Sequence, residues 1–269
     1  MNAVRQFVSR YQLVLFFILT YAISWSSVIP MNGRILPHGP TLAAVILLAI
    51  VTGRRGLSNL WQQVTHWRVR WTWYLVAPGI VAAFHLGAFA LNLLLGATVT
   101  NTSHLQPWPV VVLLVAQLLL LGGEWEEPGW SGYALPHLQE RFANRSLLGL
   151  PIATLVLGAL RAVWHLPLAL YGHIPWYDFL LFTFAFQITI TWLYDRTNGS
   201  VLIVMLFHLT SNIVFAIGHP LFSGLDQTRY WWLFIALAWA IALVLTRHRW
   251  NRSPARQTGE TSVALDSTN

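Results

Sequence analysis

The chain has 269 residues, of which 56% are hydrophobic and only 9% are charged. A soluble domain carries about 25% charged residues, so this composition excludes a soluble enzyme, a disordered chain and a nucleic-acid-binding module. The formal net charge of +7 comes with 16 basic residues, all of them arginine. Cysteine is absent, which excludes disulfides, thiol catalysis and a cysteine-ligated metal. These features predict an all-α, polytopic transmembrane helix bundle.

Eight apolar runs are candidates for transmembrane helices, which need about 20 such residues each. In chain order they are 12–30, 38–53, 71–97, 109–137, 148–172, 176–194, 201–218 and 230–246. Continuous runs of this kind differ from the ~10-residue alternating segments of a β-barrel. We expect one transmembrane domain over 1–250, with a core that carries the functional motifs at about 109–216. The polar tail 251–269 is predicted to be disordered.

The distribution of arginine predicts the orientation in the membrane. If the N-terminus is cytoplasmic, thirteen arginines lie on the inside, Arg34 and Arg229 lie outside, and Arg161 lies within a span. Basic residues favour the cytoplasmic side, so we expect both termini inside. The arginines are spread over short loops, which is typical of topology signals and not of nucleic-acid binding. The lipid bilayer is therefore the expected environment, and we expect an integral protein of a bacterial plasma membrane.

Three acids lie where a span is expected. An ionisable group at mid-membrane costs at least about 2.5–3.5 kcal/mol on insertion scales, so such groups are the first candidates for function. Glu124, Glu126 and Glu127 follow the apolar run 110–121. An interfacial acidic loop is the alternative, but the chain remains apolar as far as Pro136. We therefore place the acids inside a span, where a carboxylate shielded from water suits a general base.

Two further polar pairs occupy later spans. Arg161 and His165 are four residues apart, as are His208 and Asn212, so each pair shares one helix face. Packing is the alternative for His165, and interhelical hydrogen bonding is the alternative for His208 and Asn212. Packing alone does not account for Arg161, because a buried guanidinium needs an anionic partner.

These residue types admit two chemistries. A glutamate can activate water that one histidine orients, while a second histidine and Asn212 donate hydrogen bonds to the oxyanion of a tetrahedral intermediate. Alternatively, Glu126, His165 and His208 could hold Zn²⁺ and leave an open position for water. The H-E-x-x-H signature of many zinc proteases is absent. The sequence leaves both possibilities open.

Taken together, the motifs resemble those of the CPBP group of intramembrane proteases, which comprises CAAX proteases and bacteriocin-processing enzymes and is also called Abi. Residues 126–136 read E-E-P-G-W-S-G-Y-A-L-P and are similar to the family pattern E-E-x-G-W-R-G-Y-x-L-P. Residues 161–168 read R-A-V-W-H-L-P-L and resemble W-H-x-P-L, and residues 208–212 match H-x-x-x-N. The resemblance covers about residues 109–216.

The resemblance implies an endopeptidase that hydrolyses a peptide bond in a peptide or membrane-protein substrate. It implies that Glu126 is the base, that His165 assists it, and that Glu127 orients the other groups. His208 and Asn212 would then form the oxyanion site. Whether a metal takes part is left open by the residues.

Two positions depart from the family pattern: Ser131 stands where the family has arginine, and Arg161 stands where it has phenylalanine. Our hypothesis is that Arg161 supplies from the fifth span the cation that position 131 no longer supplies from the fourth. The alternative is that Arg161 snorkels to the interface or pairs with Glu124 for stability alone.

Two other functions remain as alternatives to an active endopeptidase. One is a catalytically weak or inactive relative that acts in self-immunity or as a scaffold. The other is an ion- or proton-coupled carrier that uses the same glutamate and histidine cluster. A carrier usually shows repeated halves, and we find no such repeat in the sequence.

Overall fold

A computed structural model describes residues 3–100, 102, 107–143, 145–218 and 221–249. These residues are mostly helical, as the composition predicts. The predicted disordered tail, 251–269, lies outside the described residues. A short antiparallel hairpin is formed by β1 (Ser146–Leu147) and β2 (Leu150–Pro151).

The structure has thirteen α-helical segments in the described part of the chain. In order they are α1 (Ala3–Arg10), α2 (Gln12–Trp25), α3 (Gly39–Val51), α4 (Arg54–Val64), α5 (Trp73–Leu94), α6 (Trp108–Leu121), α7 (Glu127–Gly129), α8 (Leu135–Arg141), α9 (Ile152–Trp164), α10 (Leu166–Leu170), α11 (Thr183–Arg196), α12 (Val201–Gly218) and α13 (Gly224–Arg249). A 3₁₀ turn covers Gly123–Glu126, and π-helical turns cover Trp130–Ala134 and Asp178–Phe182.

The helices coincide with all eight predicted spans, but the predicted number of spans is not confirmed. Trp73–Leu94, the broken run Trp108–Arg141, and Gly224–Arg247 are long and apolar enough to cross a membrane. Helices α1 and α2, bent by 85° relative to each other, would add a fourth span if they count as one. Among the others, α3 has only 13 residues, about 20 Å of helix, which is shorter than the hydrocarbon core.

The fourth predicted span is interrupted where its acids lie. Helix α6 ends at Leu121, because Gly122 adopts an extended conformation (φ −80°, ψ 176°). Pro128 then sits in the first turn of α7, where the missing N–H does no harm. This break packs on α3: the Thr41 hydroxyl donates to the Trp125 carbonyl at 2.5 Å. A Cβ at Gly129 would meet the Pro40 backbone, so only glycine permits this close contact.

Aromatic side chains hold α9 against the broken span and against α2. The Trp130 and Trp164 rings lie 5.8 Å apart edge to face, and Phe16 packs on Trp130 at 5.7 Å. The Tyr21 hydroxyl donates to the Leu160 carbonyl at 2.7 Å, and the Trp25 indole donates to the Trp164 carbonyl at 3.0 Å. The face of α9 that bears Arg161 is thereby fixed next to the carboxylates.

Candidate active site

The break in the fourth span buries all three glutamates. Glu127 is fully buried, and Glu124 and Glu126 are 2% and 5% exposed. Glu126 ends the 3₁₀ turn and Glu127 begins α7. The acids therefore do not form an exposed interfacial loop. They lie in the interior, where a carboxylate is stable only with a specific partner.

Arg161 is the partner of two of these carboxylates. Its guanidinium forms an ion pair with Glu127 and a second ion pair with Glu126 at 3.2 Å. It also donates to the Gln187 amide oxygen at 3.3 Å. Arg161 is 1% exposed, so it does not snorkel to the surface. Its ion pairs are with Glu126 and Glu127, and the alternative pairing with Glu124 does not appear among the interactions of the described residues.

Ser131 also contacts Glu127, although it cannot replace the charge of an arginine. The Ser131 hydroxyl donates to Glu127 Oε2 at 2.5 Å, one helical turn away. The other oxygen of this carboxylate, Oε1, accepts from Arg161. Position 131 thus retains a hydrogen bond to Glu127 while the cation comes from α9. The geometry agrees with the compensation hypothesis, and the role of Arg161 in activity stays a prediction.

His208 is oriented by the same carboxylate. Its Nδ1 lies 2.7 Å from Glu127 Oε1 and 3.4 Å from an Arg161 nitrogen. A carboxylate oxygen can only accept a hydrogen bond, and a guanidinium can only donate one. Because the contact with Glu127 is the shorter of the two, we place a proton on Nδ1, which donates it to Glu127 Oε1. The Nε2 atom of the ring is then directed to the opposite side, towards Gly123.

Three functional atoms converge beside Gly123. A Cβ on this glycine would lie 3.1 Å from Glu126 Oε1, 3.1 Å from Asn212 Nδ2 and 3.3 Å from His208 Nε2. Glu126 Oε2 accepts a hydrogen bond from Arg161, and the other oxygen of this carboxylate, Oε1, faces His208 and Asn212. An acceptor and two potential donors therefore share one small region, which is open only because position 123 has no side chain.

His165 lines a cavity whose wall also includes His208 and Asn212. The cavity has a volume of about 170 Å³, and Arg161, His165, His208 and Asn212 contribute to its wall. His165 Nδ1 is 2.9 Å from the Arg161 carbonyl. A carbonyl only accepts, so Nδ1 donates and the neutral ring offers Nε2 as an acceptor. Glu126 is not among the described residues of the cavity wall, whereas His208 and Asn212 belong both to the wall and to the group beside Gly123.

The sequence missed several residues of this site. Gln187 accepts a hydrogen bond from Arg161 and donates one to the Thr191 hydroxyl at 3.3 Å. Asp178 lies in the cavity wall. Both are polar residues in an otherwise apolar predicted span, 176–194, and this is the signal that could have identified them. Gly123 carried no chemical signal, because its contribution is the absence of a side chain.

A zinc site needs three or more histidine, cysteine or carboxylate ligands around one point. Among the described side chains, no group of three or more His, Cys, Asp or Glu residues is placed to hold a metal ion. Glu126, His165 and His208, the ligands that the sequence suggested, do not form such a group. As these side chains are placed they do not fit a metal centre, and whether activity depends on a metal stays a prediction.

We predict that Gly123→Ala lowers turnover much more than it lowers stability. The added methyl group would push Asn212, Glu126 and His208 apart by a few tenths of an ångström, and small displacements of catalytic groups have large effects on rate. The matched control is Gly79→Ala in α5, where a Cβ meets nothing within 4 Å and alanine favours the helix. Thermal unfolding and turnover of both variants check this prediction, and equal turnover would contradict it.

The fold and the site define a helical membrane protein with a buried centre of two carboxylates, a guanidinium and an imidazole next to a cavity. The segment that carries this centre is similar to known proteases. Residues 106–214 match the model of a family described as Type II CAAX prenyl endopeptidase Rce1-like. The chain is also 31% identical over 107 residues to CAAX prenyl protease 2 of Methanococcus maripaludis.

The second alignment covers 36% of this chain and 37% of the archaeal relative, so the chain matches little more than a third of that protein's length. The family match falls on the part of the chain with the three motifs. The resemblance to the CPBP and CAAX protease family that the motifs predict is confirmed by both comparisons over part of the chain. The apolar helices likewise support an integral membrane protein.

Proposed function

We propose that this protein is an intramembrane endopeptidase that activates water with Glu126 and His165. The observation that carries the proposal is the convergence of Glu126 Oε1, His208 Nε2 and Asn212 Nδ2 beside Gly123. A base and two oxyanion donors within one small buried region are the arrangement that peptide hydrolysis requires. The similarity to CAAX prenyl endopeptidases over residues 106–214 supports the same reaction class.

In the proposed reaction, water enters through the cavity and is held between His165 Nε2 and Glu126 Oε1. Glu126 takes a proton as the water oxygen attacks the carbonyl carbon of the scissile bond. The carbonyl oxygen becomes an oxyanion and accepts hydrogen bonds from Asn212 Nδ2 and from His208 Nε2, with the His208 ring protonated on both nitrogens in this step. When the C–N bond breaks, Glu126 returns the proton to the leaving nitrogen, which departs as an amine.

Glu127 and Arg161 position these groups. Glu127 fixes the ring of His208 through Nδ1 and compensates the charge of the ring when Nε2 is also protonated. Arg161 holds one oxygen of Glu126, which leaves the other oxygen for water. Each carboxylate thus acts through a distinct atom: Glu126 Oε1 takes the proton from water, and Glu127 Oε1 orients His208.

The proposed site of action is a cellular membrane. We place the protein as a multi-pass protein of a bacterial plasma membrane with both termini in the cytoplasm, as the split of thirteen arginines inside and two outside supports. The archaeal relative is named a CAAX prenyl protease, so a prenylated C-terminal peptide is one substrate class to test. A transmembrane peptide without a prenyl group is the other.

The test is cleavage by the purified protein in liposomes. A farnesylated peptide ending in Cys-a-a-X, its unprenylated counterpart and an apolar transmembrane peptide are each incubated with and without a metal chelator. The products are identified by mass spectrometry, with empty liposomes as the control. We expect cleavage of at least one peptide at a single bond, and we expect the chelator to leave the rate unchanged.

Two results would contradict the proposal. Loss of cleavage in the chelator with recovery on adding Zn²⁺ would show that the mechanism without a metal is wrong. Proton flux across the liposome membrane without cleavage of any peptide would favour the carrier, which uses the same buried carboxylates differently.

A further inference from the structure

Asp178 is a buried acid that the proposed reaction does not use. It begins the π-helical turn Asp178–Phe182 and is 9% exposed. Its Oδ1 atom is buried and has no hydrogen-bond partner among the described residues. The side chain lies in the wall of the cavity that Arg161, His165 and His208 also border. An acid in a cavity wall that has an oxygen without a partner calls for an explanation, and a group bound in the cavity would provide one.

The charged side chains around the cavity indicate that a group bound in it would be positively charged. Arg161, the arginine in the cavity wall, already forms ion pairs with Glu126 and Glu127. No ion pair of Asp178 occurs among the residues that the structure describes. An ionised carboxylate is costly in the interior without a cation, and a positively charged group that enters the cavity would supply one.

The rest of the wall suits an alkyl chain that ends in a cation. Phe182, Phe186 and Phe215 line the cavity together with aliphatic side chains. Aromatic rings attract a cation within about 6 Å of their faces, and Phe186 already lies 5.4 Å from the guanidinium carbon of Arg161. The Thr183 and Ser211 hydroxyls, also in the wall, can accept further hydrogen bonds from an ammonium group.

The volume also fits a single side chain. The cavity of about 170 Å³ is similar in size to an engineered apolar cavity of about 150 Å³ that accepts benzene. A butylammonium group, which is the side chain of lysine, is of this size. A whole peptide is too large, so the peptide backbone would lie outside the cavity and only one side chain would enter it.

We propose that Asp178 is a specificity residue that binds a basic side chain, lysine or arginine, of the substrate next to the scissile bond. This inference rests on the proposed function, because it takes the occupant to be part of a peptide that is cleaved beside His165 and His208. The alkyl part of the side chain contacts the three phenylalanines, and its cationic end pairs with the Asp178 carboxylate.

The first experiment measures binding without any cleavage. The purified wild-type protein is titrated with n-butylammonium chloride and with n-butanol, a neutral molecule of nearly the same shape, and thermal unfolding reports binding. We expect the ammonium to bind about tenfold tighter or more, because hydrogen bonds to charged groups exceed neutral ones by this order. In Asp178→Asn, which keeps the shape of the side chain, the two molecules should bind equally.

The matched control is Asp226→Asn, which removes an acid from α13 that pairs with Arg229 and is not in the cavity wall. It should keep the preference for the ammonium. Equal binding of the two molecules to the wild-type protein would overturn the inference without any variant. An unchanged preference in Asp178→Asn would overturn it as well.

The second experiment separates this inference from the proposed function. A peptide that the wild-type protein cleaves is resynthesised with norleucine in place of each basic residue near the cut. We expect one such replacement to lower kcat/KM about tenfold or more with wild-type protein, but not with Asp178→Asn. Cleavage that depends on Glu126 but ignores every replacement would overturn the inference alone. Ammonium binding that depends on Asp178, without cleavage of any peptide, would overturn the proposed function and retain the cation site.

Discussion

Glu126→Gln should lower turnover by about 10²–10⁴-fold, the range that general-base catalysis contributes. The substitution keeps the shape of the side chain, and the amide oxygen can still accept the 3.2 Å hydrogen bond from Arg161. The second ion pair of Arg161, with Glu127, is untouched. We therefore expect normal yield and a thermal midpoint close to that of the wild type. The matched control is Glu140→Gln on α8, an exposed acid that should retain full turnover.

The partner substitution tests whether the residues act together. His208→Gln removes the proposed oxyanion donor, and loss of one such donor costs about 10²–10³-fold in kcat. In the Glu126→Gln background water is no longer activated by a base, so the additional loss of turnover caused by His208→Gln should be smaller than in the wild type. The double variant should therefore be less impaired than the product of the two single losses. Full turnover in Glu126→Gln, in an assay where the wild type works, would show that the assigned mechanism is wrong.

The sequence predicted the helices better than it predicted which of them span the bilayer. Apolar composition is enough to place a helix, so all eight predicted spans coincide with helices. Length and bending depend on local backbone and packing, and α3 has only 13 residues. Helix α1 is polar on average and precedes the predicted span 12–30, so hydropathy gives no angle for the bend of 85° between α1 and α2. The number eight was therefore beyond what hydropathy could establish.

The candidate site was predictable where charge made burial costly. Glu126, Glu127 and Arg161 stood out because ionisable groups are rare in spans, and the structure brings them into direct contact. Gly123 carries no charge, and Asp178 has no charged neighbour in sequence comparable to those of Glu126, so neither was identified in this way. Gly123 matters through the space it leaves, and the surroundings of Asp178 come from three separate helical segments that meet only in the folded chain.

Arg161→Phe should inactivate the protein or prevent its folding. Removing one partner of a buried ion pair costs about 3–5 kcal/mol, because the remaining charge is left without compensation. Here the loss would leave both Glu126 and Glu127 without their guanidinium, and His208 would lose the ordered carboxylate that fixes its ring. We expect a thermal midpoint well below that of the wild type, and turnover below detection in any protein that still folds.

Restoring the family's residues at both positions should reverse this effect. In Ser131→Arg with Arg161→Phe, the cation comes from position 131, one helical turn from Glu127, where the serine hydroxyl already contacts that carboxylate at 2.5 Å. The phenylalanine fills part of the space that the guanidinium occupied. We expect the double variant to recover both its thermal midpoint and its turnover. Ser131→Arg alone is the control, and it should be impaired, because two cations would then compete for the same carboxylates.

A third substitution distinguishes orientation from charge. Arg161→Lys keeps the positive charge, but a lysine cannot reproduce the planar fork that lets one guanidinium bond Glu126, Glu127 and Gln187 together. If Arg161 only neutralises charge, Arg161→Lys should be as active as the wild type. If it holds Glu126 Oε2 so that Oε1 faces the water, the variant should fold and lose kcat while KM changes little. Full activity in Arg161→Phe would show instead that neither charge nor orientation at this position is needed, and that Ser131 is tolerated without compensation.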